Sequence, residues 1–575
     1  MNKLTKLKAF ILALIISISI QACSTGEVAD TIYTNGDIYT ADANDTKVEA
    51  VAVKDGMIVA VGTKAEVMKM QGSETEMIDL AGKTMTPGFI ESHGHLMGIG
   101  YNKLELDLMY VKTYDELVEK VAEAVDKVEP GTWITGRGWH QDKWIEKPKD
   151  MQKGFQTHNK MSAVSPDNPV YLRHASGHAT FANEKAMEMA GVTSLSIESL
   201  ESKVEGGEII KDELGNPTGV FTERASSIVG RLVPAETPER ADEALELAIQ
   251  ELLEKGITSF HDAGSGQAFI DRLERFKAEG KLKVRQYVML TGRQPSLLEE
   301  WYEKGPMVDP DHMVTVRSIK LNCDGALGPR GAWLLEPYSD RPDHVGHETL
   351  PMETVTEVSE KALAAGFQVC SHAIGDRANR EILDRYQGAF EKFPDIDSKE
   401  KRFRIEHAQH LHPDDIPRFG EMGIIAAMQA VHMSSDRPWA IDRLGEQRIK
   451  DGAYVWQKLL QSGAKIINGT DAPVEPVDPL PSFFASVARK TLQGFPAEGF
   501  EIDQAMTRAE ALRTFTIDGA FGEFDEDFKG SIEVGKVADF TVFDKNIMEV
   551  PEMEILDTKV AMTIIGDEIL YKAGE

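Results

Sequence analysis

The sequence predicts an α/β protein, a (β/α)8 TIM barrel joined to a small β domain built from both chain ends. Three observations predict it. Helix, glycine, apolar strand and polar residue recur in that order through the middle of the chain; short strands with turn signals occupy both ends; and histidines, one lysine and one aspartate close the middle strands. A chain of 575 residues with 42% hydrophobic content can bury a full core, which excludes global disorder.

At the amino terminus Lys3, Lys6 and Lys8 precede an uncharged apolar run over residues 9–20, followed by Ile20-Gln21-Ala22-Cys23. The run falls short of the roughly 20 apolar residues that span a bilayer. Small Ala22 suits a cleavage site, so residues 1–22 read as an export signal. The tetrad resembles the lipobox of bacterial lipoproteins, which implies that Cys23 is acylated, becomes the first mature residue and anchors the chain to a membrane. A soluble secreted protein with a cysteine near its cut site is the simpler alternative. By the same resemblance Ser24 points to the outer membrane of a bacterial envelope, facing the periplasm. Cys323 and Cys370 follow apolar strand-like runs and read as buried free thiols, so no disulfide framework is expected. The formal net charge of -31 becomes more negative once the signal lysines are removed. That acidity argues against nucleic acid as a partner and for a solvated surface.

Residues 31–62 alternate apolar and polar positions around the turn signals Asn35-Gly36-Asp37 and Lys54-Asp55-Gly56. The last sixty residues read the same way, with Ala538-Asp539-Phe540-Thr541-Val542-Phe543 and Ala561-Met562-Thr563-Ile564-Ile565 before a Gly-Asp turn. Each end holds too few strands for a stable sheet alone. Residues 23–84 and 525–575 are therefore expected to combine into one β domain, leaving 85–524 for the barrel.

Within the barrel segment, residues 239–255 place Ala244, Leu245, Ala248, Ile249, Leu252 and Leu253 on one helical face, opened by Thr237-Pro238 and closed by Gly256. The strand Ile257-Thr258-Ser259-Phe260-His261 follows at once. The same order returns at Gly366 before Phe367-Gln368-Val369-Cys370-Ser371-His372, at Gly423 before 424–429, and at Gly463 before 464–471. A doubly wound sheet competes on this pattern alone. The barrel is preferred because its strands' carboxyl ends form one face on which distant polar residues converge.

Thr86-Pro87-Gly88-Phe89-Ile90-Glu91-Ser92-His93-Gly94-His95 ends the first such strand. Side chains at i and i+2 of an extended segment share a side, so His93 and His95 can grip one ion, with Gly94 allowing close approach of the backbone. Lys320, His372, His407 and Asp471 stand at later strand ends. The order His-x-His, Lys, His, His, Asp resembles the amidohydrolase superfamily over about residues 30–570. Lys320-Leu321-Asn322-Cys323-Asp324-Gly325, Ser371-His372-Ala373-Ile374-Gly375-Asp376, Glu406-His407-Ala408-Gln409 and Thr470-Asp471-Ala472-Pro473 look like the YtcJ-like, family-3 amidohydrolases, which include N-substituted formamide deformylases. Trp139-His140-Gln141 departs from that pattern, which usually has Asp where His140 stands; this leaves the role of His140 open.

The resemblance implies a split β-sandwich around the barrel, His93, His95, His372 and His407 as imidazole ligands, and Asp471 as both ligand and catalytic proton shuttle. Imidazole and carboxylate suit Zn2+, whose bound water ionises near pH 7. Asp471 as a simple cap of the following turn is the plainer reading. A free ammonium at Lys320 is repelled by a divalent ion, so as plain lysine it binds no metal. The resemblance implies N-carboxylation, giving a carbamate that bridges two ions; an ordinary lysine that binds substrate remains open, and with it one zinc or two.

An insertion over about residues 105–235 is long for a barrel loop and is expected to act as a lid. Trp139 and His178 within it are either substrate contacts or lid packing. Arg330 and His432 follow barrel strands and are expected to meet substrate, whereas His261 and Asp262 suit a supporting role. The expected activity is hydrolysis of an amide, formamide or cyclic amide of small-molecule size. Ester or carbamate hydrolysis, and a catalytically silent binding lipoprotein, are the alternatives. A homodimer is implied only by the family.

Overall fold

The computed structural model describes residues 28–574 except 176, 178, 205 and 206. The export signal, Cys23 and His178 lie outside the described residues. In chain order the strands are β1 (Thr31–Tyr39), β2 (Lys47–Lys54), β3 (Met57–Gly62), β4 (Glu76–Asp79), β5 (Thr84–Pro87) and β6 (Phe89–Gly94). The insertion adds β7 (Leu106–Asp107), β8 (Ile134–Trp139), β9 (Val170–His174), β10 (Ala179–Ala182), β11 (Ile209–Lys211) and β12 (Pro217–Thr222). Then come β13 (Ile257–Ser265), β14 (Arg285–Thr291), β15 (Met307–Val308), β16 (Val314–Asn322), β17 (Gln368–Ala373), β18 (Arg404–His407), β19 (Ile425–Met428) and β20 (Ile466–Asn468). The chain ends with β21 (Phe540–Phe543), β22 (Val560–Ile565) and β23 (Glu568–Lys572).

Both chain ends enter one eight-stranded sheet, in the order β23-β22-β21-β5-β1-β2-β3 with β4 alongside β1. The hairpin between β2 and β3 turns on Asp55 and Gly56, both at positive φ (49° and 75°), as a tight two-residue turn requires. Its edge returns toward the carboxyl-terminal strands, because Met57 bridges Val537 just ahead of β21. Alternate residues feed opposite faces: Val51 and Val53 join one apolar cluster, Ala50 and Ala52 another. Thr541 and Thr563 hydroxyls donate to the carbonyls of Gly256 and Leu253, each at 2.6 Å, and the guanidinium of Arg285 forks onto Asp539, which docks the sheet on the barrel.

The barrel strands run parallel in the order β20-β19-β18-β17-β16-β14-β13-β6. Their residues are almost wholly buried, as expected of strands covered on both faces. The helix Pro238–Glu254 shows why the sequence folds this way: Thr237 caps it by accepting from the Arg240 N–H, Pro238 occupies the first turn, and Ala244, Leu245, Ala248, Ile249, Leu252 and Leu253 are all buried against the barrel. At the seam between β20 and β6 the Glu91 carboxylate acts as a clasp. It accepts from the Thr470 N–H and hydroxyl, each at 2.9 Å, while the Asp471 N–H donates to the His93 carbonyl at 2.8 Å. Gly469 makes room for it, since a Cβ there would lie 2.2 Å from a Glu91 oxygen.

The insertion forms its own six-stranded sheet, β11-β12-β10-β9-β8-β7, with separate apolar clusters around Trp139 and Phe221. A cavity of about 1050 Å3 reaches Lys320 and Asn322 of β16 and is lined from the insertion by Gly177, Glu223 and Arg224.

Candidate metal centre

His93 and Gly94 end β6, His95 precedes the helix Leu96–Leu104, and Lys320, His372 and His407 lie in the last residues of β16, β17 and β18. Asp471 follows β20 by three residues. Five elements thus deliver their polar termini to one mouth of the barrel. One ring nitrogen each from His93 and His95 and one oxygen of Asp471 lie within 4.8 Å of one another. The rings of His372 and His407 stand 4.5 Å apart, and His407 is 4.9 Å from His93. Lys320 Nζ lies 3.3 Å from His93 Nε2.

Three of the four rings are turned by a partner behind them. His93 Nδ1 bonds Glu406, His372 Nδ1 bonds Asp324 at 3.0 Å, and His407 Nδ1 bonds the Gln429 carbonyl oxygen at 2.6 Å. A proton held on Nδ1 by an acceptor leaves the Nε2 lone pair for an ion, which is the usual support of a ligating histidine. Burial pushes His93 down to about 4 and His407 well below the ordinary histidine value, so both rings are neutral at neutral pH. Asp471 Oδ1 is buried and receives no hydrogen bond, although His95 Nε2 approaches to 3.2 Å and His93 Nε2 to 3.6 Å. Burial opposes its ionisation, but the imidazoles of His95, His93 and His407 hold it well below the usual carboxylate range. Lone pairs converging on an acceptor that nothing donates to are what a divalent cation satisfies, so the donor set fits the implied metal.

Behind the ligands runs a buried chain of charge. Arg404 forks onto Glu406 at 2.7 and 2.9 Å and lies 3.1 Å from His261 Nδ1; His261 Nε2 is 3.3 Å from Glu523, which pairs with Lys529 at 3.0 Å. Burial raises Glu406, but Arg404 and His93 together hold it well below the carboxylate range, so it stays ionised opposite His93. His261 and Asp262 both stand behind the ligands: Asp262 accepts from the Leu96 N–H at 3.0 Å. His407 and Asp471 adopt left-handed backbone conformations, φ 75° and 56°, and such strain in non-glycine residues is found where a site needs it. Lys320 is buried, and burial lowers its pKa against the opposing pull of Glu406 and Asp471.

Two substrate-side expectations change. Trp139 is fully buried in the core of the insertion, with its Nε1 donating to the Leu172 carbonyl at 3.1 Å and its ring packed on His174, so it packs the insertion's interior. Arg330 engages Asp340 through Nε and Nη2, at 3.1 and 2.6 Å, which ties that edge of its guanidinium to the protein. His432 does stand beside the centre, its ring stacked on His407 at 6.3 Å. Sequence reading left Glu406, Asp324, Gln429 and Glu91 without roles; Glu406 and Asp324 stood in quoted motifs, but nothing in a linear pattern says which carboxylate backs which ring.

The profile of the amidohydrolase family matches residues 76–571. The Bacillus subtilis protein named "Putative amidohydrolase YtcJ" is 32% identical, covering 94% of this chain and 99% of its own. The N-substituted formamide deformylase of Arthrobacter pascens is 26% identical, covering 95% and 99%. Among solved structures, an uncharacterized metal-dependent hydrolase of Pyrococcus furiosus superposes with a TM-score of 0.70 at 28% identity, covering 90% of this chain and all of the other.

Proposed function

The chain belongs to the amidohydrolase family, and on that footing we propose that it cleaves a C–N bond, in an amide, formamide or cyclic amide of small-molecule size, with metal-activated water. The observation that carries this is the group of His93, His95 and Asp471, whose donor atoms lie within 4.8 Å of one another, with the rings of His407 and His372 packed in succession beside it. Kinship with a protein named as a formamide deformylase supports the choice of a C–N bond.

His93, His95, His372, His407 and Asp471 would hold the ion, and zinc suits this mixture of imidazole and carboxylate. When bound, such an ion supplies Lewis acidity that polarises a carbonyl and acidifies water. Asp471 is the base: its carboxylate takes the proton from the attacking water and returns it to the departing nitrogen. Glu406 keeps the His93 proton on Nδ1 throughout. Burial of the Lys320 amine, 3.3 Å from His93 Nε2, supports its carboxylation, and as a carbamate it would help to hold a second ion.

Zinc-loaded protein should hydrolyse members of a panel of N-formyl, N-acyl and dipeptide amides, with Asp471→Asn lowering kcat by about 10²- to 10⁴-fold. Metal analysis of the same samples counts zinc, two ions per chain being expected with a carbamate at Lys320 and one without. Wild-type turnover in zinc-loaded Asp471→Asn would overturn the assignment. We also propose that Cys23 carries a lipid that anchors the enzyme in the bacterial outer membrane, facing the periplasm. Cys23→Ser should move the protein from the membrane fraction to the soluble fraction, and unchanged fractionation would refute the anchor.

A further inference from the structure

The helix Ala430–Gly452 begins directly after Gln429, the residue that orients His407, so its first turns overlook the metal centre. Residues 432 and 436 are four apart and share a face. The His432 ring lies nearly parallel to His407, at 19°, and its Nε2 is buried without a hydrogen-bond partner. Asp436 Oδ2 accepts from the Gln409 amide at 3.0 Å and from the Tyr454 hydroxyl at 3.3 Å. Gln409 is two residues beyond His407, and its carbonyl accepts from the Tyr454 N–H, so both donors are fixed to the centre's own frame.

Asp436 Oδ1 is treated differently. Among the described residues its donor is the Ser435 hydroxyl at 3.5 Å, and that hydroxyl has one proton and also lies 3.4 Å from the carbonyls of Val431 and His432. The carboxylate is therefore clamped through one oxygen and offers the other. Burial pushes Asp436 up to about 6, with His432, Gln409 and Lys143 drawing it down and Glu475 pushing it up, so it is ionised at neutral pH. Asp436 is half-buried, so a carboxylate oxygen held in place by its partner and still open to the cavity side can exchange a water for a ligand's donor.

We propose that Asp436, flanked by His432, accepts a hydrogen bond from the substrate N–H next to the scissile carbonyl, so that the enzyme selects secondary amides over their N-methylated counterparts. This rests on the metal-hydrolase reading and adds to it a residue that sets specificity. Asp436→Asn is a sharp probe. Gln409 and Tyr454 both donate to the Oδ2 position and would hold the asparagine carbonyl there, which puts its NH2 where Oδ1 was. The free acceptor becomes a donor with no change of shape.

Acetohydroxamate and N-methylacetohydroxamate carry the same two metal-chelating oxygens and differ only at the nitrogen. Calorimetry on zinc-loaded protein should show the N–H form binding about tenfold tighter in the wild type, the value of one hydrogen bond to a charged group. In Asp436→Asn the ratio should fall to about one or invert, with zinc content unchanged. Equal binding by the wild type, or a ratio that survives the substitution, overturns the Asp436 assignment and leaves the hydrolase reading standing. If neither hydroxamate binds, the hydrolase reading falls and this one with it. Should Asp436→Asn fail to fold, the wild-type ratio alone decides, because the ligand carries the methyl group.

Discussion

His93 is gripped from both sides: Glu406 holds its Nδ1, and Lys320 and Asp471 stand before its Nε2. Replacing Glu406 by Gln keeps the shape but removes the charge that makes the imidazole a stronger donor, and loss of such support weakens metal binding by about 10- to 100-fold. Competition against a chelator should show that loss in Glu406→Gln; unaltered zinc affinity would deny Glu406 its supporting role. At this scale the convergence of His93, His95 and Asp471 was legible, because side chains at neighbouring strand ends of a barrel share one mouth. Partner choice was not. Trp139 and Arg330 look like substrate contacts in a linear reading, yet their polar atoms go to the Leu172 carbonyl and to Asp340, a competition that only packing decides.

Among the elements, the repeated helix-glycine-strand order exposed the barrel, since each unit buries a stripe or a run of predictable period. The closing seam was hidden. Glu91 lies inside the motif that delivers His93, but its task is to receive the Thr470 N–H and hydroxyl across the gap from β20. A methyl at residue 469 would collide with that carboxylate at 2.2 Å and would also approach the His93 backbone nitrogen, to 2.8 Å. Gly469→Ala should therefore lower both Tm and zinc occupancy, by about 1–3 kcal/mol of stability for an overpacked buried site. A variant that melts like the wild type and holds its full zinc would show that the clasp is dispensable. The insertion's β strands were equally hard to assign in advance, for the sheet follows the chain from β7 to β10 but places β12, not β11, beside β10.

Over the whole molecule, charge links the carboxyl-terminal segment to the centre through Lys529, Glu523, His261, Arg404 and Glu406. Burial raises the Glu523 pKa, but Lys529 and His261 outweigh it and hold the group at about 2. A carboxylate whose pKa is depressed by folding adds stability above its ordinary value near 4.5 and loses it as pH falls toward 2. The Tm difference between wild type and Glu523→Gln should thus be largest above pH 4.5 and close toward pH 2; a gap constant across that window would contradict an ionised Glu523. Strands at both termini were readable from alternation, but not that β5 sits between β1 and β21, because pairing over such separations leaves no local trace. That arrangement has a consequence for biosynthesis. β5 leaves the ribosome long before β21 does, and at roughly 5–20 residues per second the wait is on the order of 20–90 s. Nascent chains leave that edge of β5 unpaired for all of that time, so the sheet closes only after synthesis has almost ended.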